Sequence, residues 1–267
     1  MTESKYSTPR LNRKSTRACA FVALTLAFSS AQAAVVISNT GSFTADYSQG
    51  TAMNSSTISF SSTANTAVFF LFGYDASTDG STLTATFAGQ TMTTVGSNKH
   101  TIGYIGGDAL NGNTSGDISL TGVNATGFEI AYWGVAENID VDNIKTATGS
   151  TLSGDSSSGT QTNATLSALN VGDVVYSIFD INDFANAFYT GTGLVSFDGT
   201  SNEHDAIVTT DTIGTAGDFN AATAVADGTL TSGFFGSSIA FTAVPEASAA
   251  VLLGLSSLML FLRRRPS

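Results

Sequence analysis

The chain is 267 residues long and carries 10 Lys+Arg against 21 Asp+Glu, with a single cysteine. Five of the basic residues precede position 18 and three fall at 263–265, so the 210 residues from Ala34 to Ala243 hold only Lys99 and Lys145 against nineteen carboxylates, a formal charge of −17. Such a surface repels phosphate backbones and argues against a nucleic-acid partner. The same segment has no cysteine, which leaves it without disulfides or thiol chemistry.

Residues 1–33 read as a secretory signal peptide. Lys5, Arg10, Arg13, Lys14 and Arg17 form a basic start, Ala18–Phe28 is a short apolar run, and Ser29-Ser30-Ala31-Gln32-Ala33 closes it with small residues. Cleavage is expected after Ala33, with Ala31 and Ala33 as the small residues of the cleavage motif. The apolar run is too short for a stable anchor. Cys19 lies at its start and leaves with the signal.

Residues 34–243 predict one all-β domain, an antiparallel β-sandwich. Gly, Ser, Thr and Asn are abundant, proline is absent, and β-branched runs alternate with turn clusters. Ala67–Tyr74 is apolar on both faces and reads as a central strand, as do Phe128–Val135 and Asp173–Phe179. Leu83–Phe87 alternates, and Ala88-Gly89 turns it into Gln90–Val95 as a hairpin. The pair His100–Ile105 and Asp117–Thr121 flanks a Gly/Asn-rich loop, and Asn143–Thr148 and Gln161–Leu166 flank a polar one. Thr57–Ser61, Leu194–Phe197, Ala206–Thr210 and Gly236–Ala243 bring the total to roughly ten to twelve strands. Ala221–Val225 reads as a strand or a helical turn, and no periodic repeat is visible. The hairpin Ala85–Val95, the short paired strands after it and the strand near Asp173 resemble the jelly-roll-like β-sandwich of many secreted bacterial proteins. That module binds carbohydrate in some families and is structural in others.

Few residues in this domain carry obvious chemistry. There is no Gly-x-Ser-x-Gly elbow and no phosphate-binding glycine loop followed by Lys-Ser/Thr. His204 lies in Glu203-His204-Asp205 without a second His or Cys cluster to complete a metal site, and His100 beside Lys99 reads as an exposed strand start. No cofactor is expected. A structural Ca²⁺ is the alternative, on Asp140, Asp142, Asp180 and Asp183, whose alternating oxygens suit a hard cation and equally suit turns. Tyr132 and Trp133 are adjacent and face opposite sides of a strand. Trp133, the single tryptophan, could stack on a sugar, although a lone tryptophan in an apolar strand is more often core. Phe184, Phe188 and Tyr189 form a second aromatic candidate for ligand binding. Glu129 alternates with Ile130 and Tyr132 and is the best single acid for glycosidase chemistry, which needs a partner carboxylate.

Residues 244–267 change character. Val244, Pro245 and Glu246 lead into an apolar helix at 247–262, followed at once by Arg263, Arg264 and Arg265. Sixteen residues at 1.5 Å each make roughly 24 Å of helix, slightly short of a ~30 Å hydrocarbon core. Bilayer thinning and arginine snorkelling absorb that difference, and the arginines favour a cytoplasmic C-terminus. This order of signature, transmembrane helix and basic end resembles the PEP-CTERM sorting tail of Gram-negative bacteria, with Ala247 where the signature usually has a second proline. The resemblance implies export across the inner membrane, transient anchoring, processing by an exosortase-type enzyme near Pro245-Glu246, and an association with exopolysaccharide and biofilm. The expected role is an exported cell-envelope or extracellular-matrix protein of structural or adhesive type, not an enzyme. A carbohydrate-binding module for extracellular polysaccharide is the alternative, and a glycan-processing enzyme ranks third.

Overall fold

The computed structural model describes residues 34–46, 53–74, 83–97, 100–121, 128–150, 159–162, 165–181, 188–190, 195–197, 206–227 and 234–244. They belong to one unit, Ala33–Val244. The fold is all-β, and its strand pairs are antiparallel throughout. Two 3₁₀ turns, Gly107–Leu110 and Val141–Asn143, are the helical elements among the described residues.

The first half runs through β1 (Val36–Asp46), β2 (Met53–Asn54), β3 (Ile58–Ser59), β4 (Thr66–Tyr74), β5 (Thr84–Phe87), β6 (Gln90–Thr91), β7 (Thr93–Ser97), β8 (His100–Gly106), β9 (Ser115–Gly116), β10 (Ile118–Thr121) and β11 (Phe128–Glu137). The second runs through β12 (Lys145–Ser150), β13 (Gly159–Thr162), β14 (Leu166–Leu169), β15 (Val174–Ile181), β16 (Phe188–Thr190), β17 (Val195–Phe197), β18 (Ala206–Thr212), β19 (Gly217–Phe219), β20 (Ala222–Asp227) and β21 (Phe234–Phe241).

These strands form a similar set of sheets twice, β6 being without a counterpart among the described residues. The first half has a five-stranded sheet β1-β11-β4-β8-β7, a second sheet β2-β10-β5-β6 and a ribbon β3-β9. The second half has β12-β21-β15-β18-β17, then β13-β20-β16, then the ribbon β14-β19. In each, the first and last strands of the half lie side by side, and the second long strand sits at the centre of the larger sheet. The repeat is one of strand order, which leaves no periodic trace in the residues.

The central strands follow from composition. A strand buried on both faces reads as a continuous apolar run, and β4 is such a run. Val68, Phe70 and Phe72 point into one core with Phe87, Ile118, Leu120, Trp133 and Val135. Ala67, Phe69 and Leu71 point the other way, against Ile102, Tyr132, Tyr176, Ile178, Ile239 and Phe241. The second core is therefore the contact between the two five-stranded sheets, one from each half. Each fully buried large side chain there contributes roughly 1.5–3 kcal/mol relative to exposure. The residues joining the halves are fixed to both: Ile139 N donates to Asn65 O (3.0 Å), Asp140 N to Thr242 O (2.8 Å) and Val244 N to Asn138 O (2.9 Å).

The Ala88-Gly89 turn closes the β5–β6 hairpin with both residues at positive φ, 49° and 78°, a turn whose twist matches the flanking strands. One expected pairing is corrected. β8 and β10 do not pair: β8 joins β4 and β7, whereas β10 lies in the other sheet between β2 and β5. The strands β12 and β13, on either side of the polar stretch, pair with β21 and β20. Between β8 and β10 the chain crosses to the opposite sheet instead of turning back.

Candidate functional site

The four-stranded sheet of the first half presents a face of hydroxyl and amide side chains. Strand alternation sends Met53, Ala85, Phe87, Ile118 and Leu120 into the core and leaves Asn54, Thr84, Thr86, Thr91, Ser119 and Thr121 on the other side. Register aligns them: Asn54 pairs with Ser119, Ser119 with Thr86, and Thr86 with Thr91, while Thr121 pairs with Thr84 in the next row. Neighbouring groups stand about 4.8 Å apart across strands and roughly 6.8 Å apart along them. The Thr121 hydroxyl donates to Thr84 O at 3.4 Å, and the remaining hydroxyls and amide are disposed toward solvent. In a domain this acidic, a surface of hydroxyls, with the exposed Asp117 as the carboxylate at its end, is chemically distinct and suited to hydrogen bonding with hydroxyl-rich material.

A second feature is an open cleft of about 520 Å³ where three loops meet: Thr63–Asn65 before β4, Gly106–Ala109 after β8, and Val141–Asp142 in the join between halves. Gly107 has φ +56°, and a Cβ there would stand 3.0 Å from a Val141 methyl, so the close approach requires glycine. Asp108 and Asp142 are exposed at its rim. Among the described residues no group of three or more His, Cys, Asp or Glu is gathered as a metal site.

The residues picked from sequence scatter. Trp133 is not a surface platform: it is 6 % exposed, packs in the first-half core and covers Gly41, so the sugar-stacking assignment is corrected. Tyr132 does face the opposite side, into the core between halves. Phe188 and Tyr189 lie on β16, in a different sheet from Trp133, and Phe184 lies outside the described residues. Asp140 caps the turn Val141–Asn143, its Oδ1 accepting from Asp142 N at 3.2 Å, which is turn chemistry. Asp180 is on β15, opposite Ala206 and Phe235, and Asp183 lies outside the described residues, as do Glu203, His204 and Asp205. Glu129 is on β11 between Ala45 and Tyr74.

His100 is the largest correction. It is 2 % exposed, and its Nδ1 lies 2.5 Å from the Ser237 hydroxyl, across the contact between halves. Burial pushes its pKa down to about 4. Nearby, burial and then the neighbouring Tyr176 hold the Tyr132 hydroxyl above the ordinary tyrosine range. Asp173 is also buried, its Oδ2 accepting from Asn170 N (2.8 Å) and the Thr242 hydroxyl (3.2 Å). Sequence reasoning missed the burial of His100 and Asp173 because each lies at or just before the start of a strand, where polar residues ordinarily meet water. The Thr-x-Thr alternation of β5 was the available signal for the hydroxyl face.

Residues 1–33 and 245–267, which include the Ala31-x-Ala33 motif, Pro245, Glu246, the helix 247–262 and Arg263–Arg265, lie outside the described residues. Among the described residues no helix is long and apolar enough to cross a membrane. Comparison with known protein families, with curated protein sequences and with solved structures finds no match.

Proposed function

We propose that this chain is an exported cell-envelope or extracellular-matrix protein of structural or adhesive type, its all-β unit delivered by a signal peptide and sorted by a PEP-CTERM-like tail. The reading is carried by one observation: a basic-apolar start and a Pro-Glu, apolar, triple-arginine end flank the β-unit Ala33–Val244. Each half of that unit is read as a jelly-roll-like sandwich, because its first and last strands are neighbours and the chain passes repeatedly between a larger and a smaller antiparallel sheet. In this reading an exosortase-type enzyme acts on the tail after the helix has anchored it, and the chain is substrate there, not catalyst. Deleting residues 244–267 tests it: the truncated protein is expected to leave the membrane and envelope fractions for the soluble exported fraction. An unchanged distribution between fractions would defeat the proposal.

A second reading, contact with extracellular polysaccharide, is favoured by the hydroxyl face of β2-β10-β5-β6. It places the contact on that face in preference to Trp133.

A further inference from the structure

We propose that Asn111-Gly112 is a self-modifying site, converting through a cyclic imide to an aspartyl or isoaspartyl linkage at a rate set by the turn that holds it. It is the single Asn-Gly pair in the chain. Glycine is the one residue that leaves the backbone nitrogen after an asparagine unshielded by a side chain. Both residues are exposed, and no atom stands within 4 Å of where a Cβ on Gly112 would lie. They take φ +50° and +75°, and Asn113 N donates to Leu110 O at 2.9 Å, which makes Leu110–Asn113 a mirror-image turn of type I′. Among the described residues Gly112 N donates to no backbone carbonyl.

The chemistry uses only solvent. Hydroxide takes the proton from Gly112 N, and that nitrogen attacks Cγ of Asn111, forming a C–N bond. The side-chain nitrogen leaves as ammonia, taking a proton from water, and a five-membered imide remains. Water then adds across one of the two imide C–N bonds. Opening at Cγ restores the ordinary main chain with a carboxylate on the side chain. Opening at the main-chain carbonyl of Asn111 routes the chain through Cβ, lengthening the turn by a methylene. Either product adds a negative charge to the segment whose residues Gly106–Ala109 form a wall of the open cleft, where Asp108 and Asp142 already stand.

The folded turn withholds this reaction. Ring closure needs Gly112 N swung round to the side of the Asn111 Cα–C bond that carries Cβ. At ψ +37° it lies on the opposite side. The turn must therefore open before the imide can form. Leu110 O resists that opening by accepting from both Asn113 N and Asn113 Nδ2, the latter at 3.0 Å, and Leu110 itself is fully buried. Asn113 is thus the positioning residue. Without its side-chain amide the open population rises by the worth of one hydrogen bond, roughly two- to ten-fold.

Peptide mass spectrometry of the full chain, incubated in mildly alkaline buffer with and without urea, tests this. The amide-to-acid mass change is expected at Asn111 ahead of every other described asparagine, and more slowly in the folded chain than in the urea-unfolded one. Asn113→Ala should raise the folded rate at Asn111 roughly two- to ten-fold, while the rate in urea and the rates at the other asparagines stay as they are. Equal folded and unfolded rates, faster conversion at another described asparagine, an unchanged folded rate in Asn113→Ala, or a rise shared by all asparagines would overturn the proposal. Should that variant not fold, the wild type decides: conversion at Asn111 that is slower folded than unfolded supports the proposal, and equal rates, or none at Asn111 in the folded chain, overturn it.

Discussion

The ring of Phe69 lies 4.9 Å from that of Phe241, tilted by 52°, so the central strand of the first half is locked to the last strand of the second. Tyr176 completes the cluster, 5.0 Å from Phe69 and stacked on Tyr132 at 5.7 Å. Because Phe69 is fully buried, Phe69→Ala is expected to destabilise the protein by about 3–5 kcal/mol. Aromatic pairs at this spacing add about 0.5–1.5 kcal/mol beyond area, so a double-mutant cycle with Phe241→Ala should return a coupling of that size. Urea denaturation measures both quantities, and additive single-mutant effects would show that the halves are not coupled through these rings.

Gly41 of β1 lies beneath the indole of Trp133, and a Cβ there would stand 2.6 Å from Cζ2. Gly41→Ala is expected to cost about 1–3 kcal/mol, less than a central-strand clash, because β1 is an edge strand with a bulge between Ser38 and Gly41 and can shift. The single tryptophan reports the change directly. Native emission should be that of a buried indole, and the variant should move it to longer wavelength. Unchanged emission and melting temperature would mean the ring does not rest on this strand.

Burial gives Asp211 a pH dependence of its own. Partial burial raises its pKa above the ordinary 3.8. A carboxyl raised in the folded state contributes its stability below the unfolded value and loses it as pH rises through the folded one. Ionised Asp211 therefore destabilises the fold at neutral pH, and Asp211→Asn should raise the melting temperature at pH 7 by a few degrees at most. The advantage should vanish below about pH 3.8. An advantage that grows in acid would reverse the assignment.

Continuous apolar runs made β4, β11 and β15 legible, because a strand covered on both faces has nowhere to place polar residues. The Ala88-Gly89 hairpin was legible from turn chemistry. β1 was not: Val36–Asp46 mixes Ser, Asn, Thr and Gly with few apolar residues, and its length comes from nine residues paired to β11 across a bulge rather than from its own pattern. The duplication of strand order was hidden for a related reason. The first-half core holds Phe70, Phe72, Phe87 and Trp133, while the corresponding rows of the second half include Ser177 and Ser238, whose hydroxyls are 2.7 Å apart. Equivalent positions thus carry different chemistry. The fate of His100 depended on that duplication, since the sheet that covers it begins more than forty residues later in the chain.

The hydroxyl face makes the most direct link from fold to function. Thr86 and Thr91 are paired across β5 and β6, with their alternate neighbours Ala85, Phe87 and Met92 carrying the packing. Replacing both by lysine places two cations on the face without touching the core, so stability should change by no more than about 0.5 kcal/mol for each. If the face contacts polysaccharide, wild-type protein should sediment with an insoluble neutral glucan and the double variant should lose most of that binding. The wild type should bind a polyanionic glycan poorly, because the domain as a whole is strongly negative. Trp133→Phe should retain the neutral-glucan binding, since that ring lies within the core. Retained binding in Thr86→Lys/Thr91→Lys, or its loss in Trp133→Phe with the fold intact, would move the contact away from this sheet.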